Sequence, residues 1–402
     1  MSKSRKILFL AHLFPLPLDS GGKIKSFHTL KILSSMHDVA VLAYVRNQDE
    51  MQRLDELRHV CSSVTIVSLV RGKFRNVADL TSSLISRKSF IVSRDYRREM
   101  QEAFTRLVGD FQPDVVHIDH LQMAQFVDFN ASYRTVLDNH NVECMIIKRI
   151  AESSKSTMER MCASIEWPKL RAYELDACRR CDAVLTVSEE DKATLQEFNQ
   201  SLANIHTVPI GVDTDYFASV ERVNNSKNII SIGTMYWPPN IDSMLYFYRE
   251  ILPLVKREVP DCTLTIIGQR PAAAIKKLES DPAVKVTGTV DDVREPARDC
   301  GAFVVPLRSG SGVRVKILNA FAMGLPVVST TVGVEGITAK HGEHLMIADS
   351  PADFSRCVAQ VLKDPWLAEK LGNNGRKLVA ESYSWQKVGE RLLNVYELMA
   401  DK

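Results

Sequence analysis

Short apolar runs alternate with longer stretches whose apolar residues recur every three or four positions, almost from end to end. In the first half, Ile7–Ala11, Val39–Tyr44, Val64–Leu69, Val115–Ile118, Thr135–Asn139 and Ala183–Val187 predict short buried strands. Helical patterns lie between them, among them Lys23–Met36, Met51–His59 and Tyr96–Phe111. The rhythm restarts with strands at Ile229–Ile232, Thr263–Ile267, Val284–Val286, Ala302–Val305 and Val327–Ser329. Its helices include Ile241–Val259, Val293–Asp299 and Val313–Met323. This alternation predicts an α/β protein with two doubly wound, Rossmann-like domains of parallel sheet facing across a cleft. The polar stretch Ala218–Lys227 reads as the seam, giving domains at 1–215 and 220–382. The segment 383–402 has apolar residues at helical spacing and suits a last helix that packs on either domain.

Composition narrows the partners. A chain of 402 residues exceeds one ordinary core. Its 51 basic and 49 acidic residues leave a net charge of +2, so no global field argues for nucleic acid. No apolar run approaches membrane-spanning length. The opening run Lys6–Ala11 is short, has no cleavage pattern, and is followed by His and Pro, which leads to the expectation of a cytoplasmic protein. The eight cysteines are scattered, and Cys178 and Cys181 lack a second pair at zinc-ligand spacing. Reduced, structural thiols and no metal site are expected. Segment 71–98 is basic, with Arg71, Lys73, Arg75, Arg87, Lys88, Arg94, Arg97 and Arg98 against Asp79 and Asp95. A solvated helix face explains it best; the alternative is peripheral contact with an anionic membrane surface or a phosphorylated acceptor.

The candidate chemistry lies in loops that follow strands. After Ala302–Val305, Gly310 and Gly312 let the backbone turn and approach a ligand. A helix starts near Val313 and is ended by Gly324 and Pro326. The free amides of Ser311, Gly312 and Val313, the helix dipole, and the charges of Arg314 and Lys316 suit a phosphorylated ligand. In the first half, Gly21 and Gly22 open a helix after the first strand, with Lys23 and Lys25 in reach of phosphate. His140, in the polar cluster Asp138–Glu143 at a strand end, can donate to a sugar hydroxyl or stabilise developing charge. His117, Asp119 and His120 read equally well as a hydrogen-bonded loop and as a substrate contact. In the second half, Gly233 and Thr234 can approach phosphate, and Tyr236 and Trp237 can stack on a flat group. Pro239 and Asn240 set the next helix start. The turn at Gly288 suits a base slot, and Glu335 follows the last clear strand.

These residues resemble the retaining nucleotide-sugar glycosyltransferases of the GT-B fold, family 4, over nearly the whole chain. The resemblance is strongest from Ile229 to Gly336. Ala320–Ser329 (AFAMGLPVVS) is similar to the family's EAMA-G-PVV signature. Gly21 and Gly22 fall where the family contacts donor phosphates and acceptor, and His140 where it contacts the donor sugar. Val208–Asp213 with Phe217 resembles its interdomain segment. Ser384, Trp385 and the final helix resemble one that crosses back to the first domain. Ser311 and Asn319 stand where the family usually has glutamates, for the donor sugar and the ribose. The family's basic pair after the first strand of the second domain is absent, and Arg314 and Lys316 are expected to replace its charges. The resemblance implies a nucleoside-diphosphate sugar donor bound mainly to the second domain, and no cofactor or metal. The implied acceptor is a glycan, a lipid-linked or a small molecule, as in bacterial exopolysaccharide transferases. A nucleotide-sugar epimerase of the same fold, and an inactive binding partner with the glutamates lost, are the alternatives.

Overall fold

The computed structural model describes residues 4–69, 88–154, 156–218, 220–223, 225–310 and 312–399. The chain forms two compact units, one of Met1–Ile210 with Gly389–Lys402, the other of Gly211–Val388.

The first unit holds seven parallel strands: β1 (Lys6–Ala11), β2 (Asp38–Val45), β3 (Ser63–Ser68), β4 (Val115–Asp119), β5 (Arg134–Asn139), β6 (Ala183–Thr186) and β7 (Ile205–Thr207). Their order is β3-β2-β1-β4-β5-β6-β7. The central strands are buried on both faces, as near-continuous apolar runs require. The second unit has β8 (Asn228–Ile232), β9 (Thr263–Ile267), β10 (Val284–Gly288), β11 (Ala302–Val305), β12 (Val327–Ser329) and β13 (Met346–Ile347), ordered β10-β9-β8-β11-β12-β13. All of these pairings are parallel too. Two Rossmann-like α/β units, as the alternation predicted, are the result.

The differences from the expected elements have local causes. β7 and β13 escape notice because they are edge strands of three and two residues, too short to show a period. The expected helix Met51–His59 is two short ones, Gln48–Gln52 and Leu54–Arg58. The expected helix Ile241–Val259 starts at Pro238 and passes through a π turn at Phe247–Ile251. Pro253 supplies the reason: its ring displaces the preceding turn, and it has no N–H to bond that turn's carbonyl.

The site helix of the second unit runs over Val315–Ala322, two residues later than expected at its start. Gly312 at φ 77° and the non-helical Arg314, at φ -85° and ψ 86°, keep the chain out of helix until Val315. Its end follows the predicted Gly signal. Gly324 at φ 73° closes it, with Gly324 N donating to Phe321 O at 2.9 Å and Leu325 N to Ala320 O at 2.9 Å. Helix Pro365–Ser382 packs on this helix through Gly372, where a Cβ would lie 2.2 Å from Gly324 O.

The last helix, Trp385–Leu398, begins in the second unit, and Gly389 onward belongs to the first. There Arg5 Nη1 donates to Tyr396 O at 2.7 Å, and Tyr396 Oη meets His117 Nδ1 at 2.8 Å.

Candidate active site

In an open parallel sheet, ligands bind outside the carboxyl ends of the strands, where the strand order reverses. In the first unit that point lies between β1 and β4. Gly21 and Gly22 open the helix Gly21–Ser34 there, and the Ser20 side chain does not cap it, so first-turn amides face outward. A Cβ on Gly22 would lie 3.4 Å from His120 Nε2 and 3.7 Å from His140 Nδ1. The bare glycine therefore lets two imidazoles come up to a helix start.

The buried carboxylate of Asp119 lies against both rings, hydrogen-bonded to His120 Nδ1, whereas His140 Nε2 makes no hydrogen bond among the described residues. Its Oδ2 is 3.0 Å from His120 Nδ1 and its Oδ1 3.0 Å from His140 Nε2, while Ser26 Oγ donates to it at 2.9 Å. Burial would raise the Asp119 carboxyl, but the charges of His120 and His140 hold it well below the usual carboxylate range. The His120 and His140 rings are tilted by 36° with centroids 3.9 Å apart. Burial works against a proton on His120, yet the Asp119 charge and hydrogen bond raise its pKa. Burial and the neighbouring His120 charge push His140 down to about 4. Asp119, His120 and His140 bring their ligand atoms within 4.8 Å of one another. The Asp119 carboxylate is already engaged by Ser26 Oγ and His120 Nδ1, so the group fits a hydrogen-bonded assembly better than a ligand set.

Sequence reasoning missed several neighbours. His12, directly after β1, meets Asp95 with Nε2 3.0 Å from Oδ2, and burial above all pushes the ring to about 4. Glu143 has its carboxyl raised by burial, with the His120 charge opposing. Glu174, on the helix Thr157–Arg180, is buried beneath the loop that carries His140. It accepts from Glu143 N at 2.9 Å, Cys144 N at 3.0 Å and Asn139 Nδ2 at 3.3 Å, tying down the start of helix Glu143–Ser153. Position on the fold is the one signal that reaches His12; nothing in the sequence joins Glu174 to a loop some thirty residues away.

Glu174 also carries a pH signature. Burial raises its pKa from 4.5 to about 7. The folded state then holds a proton that the unfolded chain has released, so stability falls as pH rises from 4.5 through about 7. Glu174→Gln is expected to flatten that fall, which urea unfolding of both proteins across this range measures. An unchanged slope would place the titration elsewhere.

Several sequence expectations need correction. Lys23 and Lys25 do not present charge to a ligand. Lys23 Nζ pairs with Glu50 at 3.1 Å and Asp19 at 3.5 Å, and the buried Lys25 pairs with Asp138. Both lie on the helix at positions that bring them to acidic partners rather than to its open end. His117 is interior to β4, stacked on Phe9 with ring centroids 4.5 Å apart, and is a structural residue. Within segment 71–98, residues 71–87 lie outside the described residues. Of the rest, Arg97 is buried and donates to Arg94 O and Tyr96 O, and Arg98 pairs with Glu102 at 2.7 Å.

In the second unit the strand order reverses between β8 and β11. The loops after these two strands meet through Lys316. Its Nζ donates to Asn240 Oδ1 at 3.1 Å and would lie 3.2 Å from a Cβ on Gly233. Asn240 Nδ2 in turn donates to Thr234 O at 3.1 Å and Oγ1 at 3.3 Å. Asn240 thus does more than start a helix: it joins Gly233–Thr234 to the lysine. Burial, then Arg314, lowers Lys316 to about 8, so it is still charged at neutral pH. Arg314 bends back on its own loop, donating to Gly312 O beside Gly310. Val313 precedes the helix, its carbonyl accepting from Val315 N at 3.2 Å. Ser311 lies outside the described residues. Asn319 is half-buried on the second turn of the site helix. Gly288, at φ 70°, ends β10, two strands from β8 and so about 10 Å across the sheet. Glu335 follows the short helix Thr331–Val334 after β12, the neighbour of β11. Tyr236 and Trp237 are exposed, and Tyr236 stacks under Arg270 at 4.7 Å.

Each unit matches a family model. Residues 33–216 match Glycosyltransferase Family 4, and residues 226–364 match Glycosyl transferases group 1. A 44.6 kDa protein from the cps region of Klebsiella pneumoniae is 20% identical over 95% of this chain and 97% of its own. An MMP alpha-(1->4)-mannosyltransferase of Mycolicibacterium hassiacum is 29% identical over 54% of each chain. Among solved structures, sucrose-phosphate synthase of Thermosynechococcus elongatus is similar with a TM-score of 0.72 at 14% identity, covering 99% of this chain and 100% of that one. HepE of Anabaena in complex with UDP is similar with a TM-score of 0.67 at 10% identity, over 99% of this chain and 100% of its own. With two wound units, a glycine loop at each strand reversal, and glycosyltransferase models matching both, the chain belongs to glycosyltransferase family 4: it is a GT-B-fold glycosyltransferase.

Proposed function

We propose that the second unit grips the donor's diphosphate between the Gly233–Thr234 loop and the Gly310–Lys316 loop. The observation that carries this is the Lys316 ammonium held by Asn240 against Gly233, with Arg314 in the same glycine loop. Cleaving the sugar–oxygen bond leaves negative charge on the diphosphate. Two fixed cations and the amides opening helix Val315–Ala322 stabilise that charge as it forms. Gly288 would border the base, Asn319 the ribose, and Glu335 the donor's sugar end. Asn319 can still hydrogen-bond a hydroxyl in place of the family's glutamate, though without its charge.

In the first unit, the Gly21–Gly22 helix start, with two imidazoles beside it, suits hydroxyl groups. The reaction we infer is retaining, with attack from the leaving-group face and a diphosphate oxygen taking the acceptor's proton. The nucleotide is UDP or GDP. HepE has been solved with UDP-glucose, and a relative from Corynebacterium glutamicum is a GDP-mannose-dependent mannosyltransferase. The acceptor is a glycan, a lipid-linked or a small molecule. All eight cysteines are free thiols, which suits the reducing cytoplasm. Among the described residues no helix is long and apolar enough to cross a membrane. Peripheral contact at the membrane's inner face through segment 71–98 belongs to this proposal as well.

A thermal-shift screen against UDP, GDP and ADP, with their sugars, tests the reading. At about a hundred times Kd, the right nucleotide adds roughly 2.7 kcal/mol of stability and raises Tm by several degrees. The sugar form should then label an acceptor fraction. No shift with any of the three would remove the donor assignment, and epimerised donor in an acceptor-free mixture would favour the epimerase.

A further inference from the structure

We propose that Glu166 and Glu174 are positioning residues for the transfer reaction: two buried carboxylates on helix Thr157–Arg180 that hold, from a distance, the segments carrying Asp95 and His140. The inference rests on the transferase reading and adds to it the groups that set where these segments stand.

A glutamate on the buried face of a helix is rare, because its charge has to be satisfied without water. Helix Thr157–Arg180 has two there, Glu166 and Glu174, in one row with Leu170 between them. They stand roughly two turns apart, about 12 Å along the axis. The charge acting on Glu174 is that of Glu143, of like sign. Its stabilisation therefore comes from N–H donors, and these belong to the loop that carries His140.

Glu174 pins both ends of that loop. Asn139 Nδ2, on the last residue of β5, donates to its Oε1 at 3.3 Å, and Glu143 N, on the first residue of the next helix, at 2.9 Å. Cys144 N donates to its Oε2 at 3.0 Å. His140 lies between these anchors. Glu166 does the same for a second segment. Its Oε1 accepts from Ser89 Oγ and from Ile91 N at 3.1 Å, and its Oε2 from Phe90 N at 3.1 Å. These groups open helix Phe90–Ser93. Asp95 follows that helix, its N donating to Val92 O at 3.3 Å, and its carboxylate meets His12. The His12 and His120 ring centroids are 5.7 Å apart.

Capping alone does not call for this arrangement. Helix Glu143–Ser153 has Val142 at its N-cap, a residue with no side-chain oxygen to offer its first amides. A serine or aspartate there would serve the helix but would leave the loop free to move with it. A carboxylate 31 positions away ties the helix start to a different element instead. One long helix thus sets both segments in a common frame. A displacement of about 1 Å among positioned groups is enough to cost about a hundredfold in rate.

The test is Glu174→Gln and Glu166→Gln in the full-length protein, with rates measured well below each variant's Tm. Glutamine keeps the size of the side chain but turns one acceptor oxygen into an NH2 donor that faces amide donors. Each variant should lower kcat/KM for transfer roughly tenfold to hundredfold, with UDP or GDP affinity within about twofold of wild type. The pH profile separates positioning from mere support. Glu174 titrates near 7, faced by Glu143, Cys144 and Cys178, and both its oxygens accept freely only when it is ionised. Wild-type kcat/KM should therefore rise with pH through about 7, a rise that Glu174→Gln loses and Glu166→Gln keeps. Wild-type kcat/KM in either folded variant would overturn the proposal, so one variant decides if the other fails to fold. If wild type binds neither UDP nor GDP, the transferase reading fails on its own. Hydrogen exchange of the Glu143 and Cys144 amides, slow in wild type and fast in Glu174→Gln, still reports the tether in that case. Equal exchange in both proteins would overturn it.

Discussion

Lys316→Ala should lower kcat/KM for sugar transfer by roughly 10²- to 10³-fold, the loss typical of one preorganised charge stabiliser. The ammonium is fixed by Asn240 beside Gly233, so it needs no reorganisation when the leaving diphosphate gains charge. Diphosphate affinity itself should drop by about 1.5–3 kcal/mol, the range for a hydrogen bond to a charged group. A pH dependence accompanies this. Lys316 loses its proton near pH 8, so wild-type affinity for the diphosphate should fall as pH rises through that value. In Lys316→Ala the fall should vanish. Removing the lysine also frees Asn240 Oδ1, so Tm should be measured alongside. Loss of folding would appear as a Tm change, whereas loss of the charge appears in the pH profile. Steady-state rates and nucleotide titrations at two pH values separate the two.

His140→Ala should lower kcat/KM by about 10²-fold while leaving diphosphate affinity unchanged. The ring is neutral near pH 7, because burial and the His120 charge hold its pKa down at about 4. Its contribution is therefore a directed hydrogen bond to a sugar, with no charge to offer phosphate. The change also removes one partner of the Asp119 carboxylate, which keeps His120 and Ser26. A matched fall in diphosphate affinity would move His140 from the sugar to the phosphates.

Much of the scaffold can be read from the chain. Strand β1 is a five-residue apolar run, Ile7–Ala11, after a basic start, and β11 is AFVV; both are buried where the pattern puts them. Gly324 ends the site helix because a positive φ is needed there, and glycine is the residue that gives it away. The π turn before Pro253 and the two-residue β13 were not legible, since their causes lie in a missing amide and in sheet pairing.

The candidate site was legible only in part. Gly21, Gly22 and His140 stand out because they follow strands, and the structure brings Gly22 and His140 together. Lys23 and Lys25 misled for the same reason, since a sequence shows the charge but not Glu50 and Asp138 waiting for it. Asn240 looked like a helix starter, and its bond to Lys316 spans 76 residues. Asp119 joins residues from three segments, Ser26, His120 and His140, a link that exists only once β1, β4 and β5 are aligned.

The most direct test of the central claim is calorimetric titration of the stabilising nucleoside diphosphate into wild type, Lys316→Ala and His140→Ala side by side. The diphosphate grip in the second unit predicts wild-type affinity in His140→Ala and roughly tenfold or greater weakening in Lys316→Ala. Equal affinity in all three proteins, or weakening confined to His140→Ala, would contradict it.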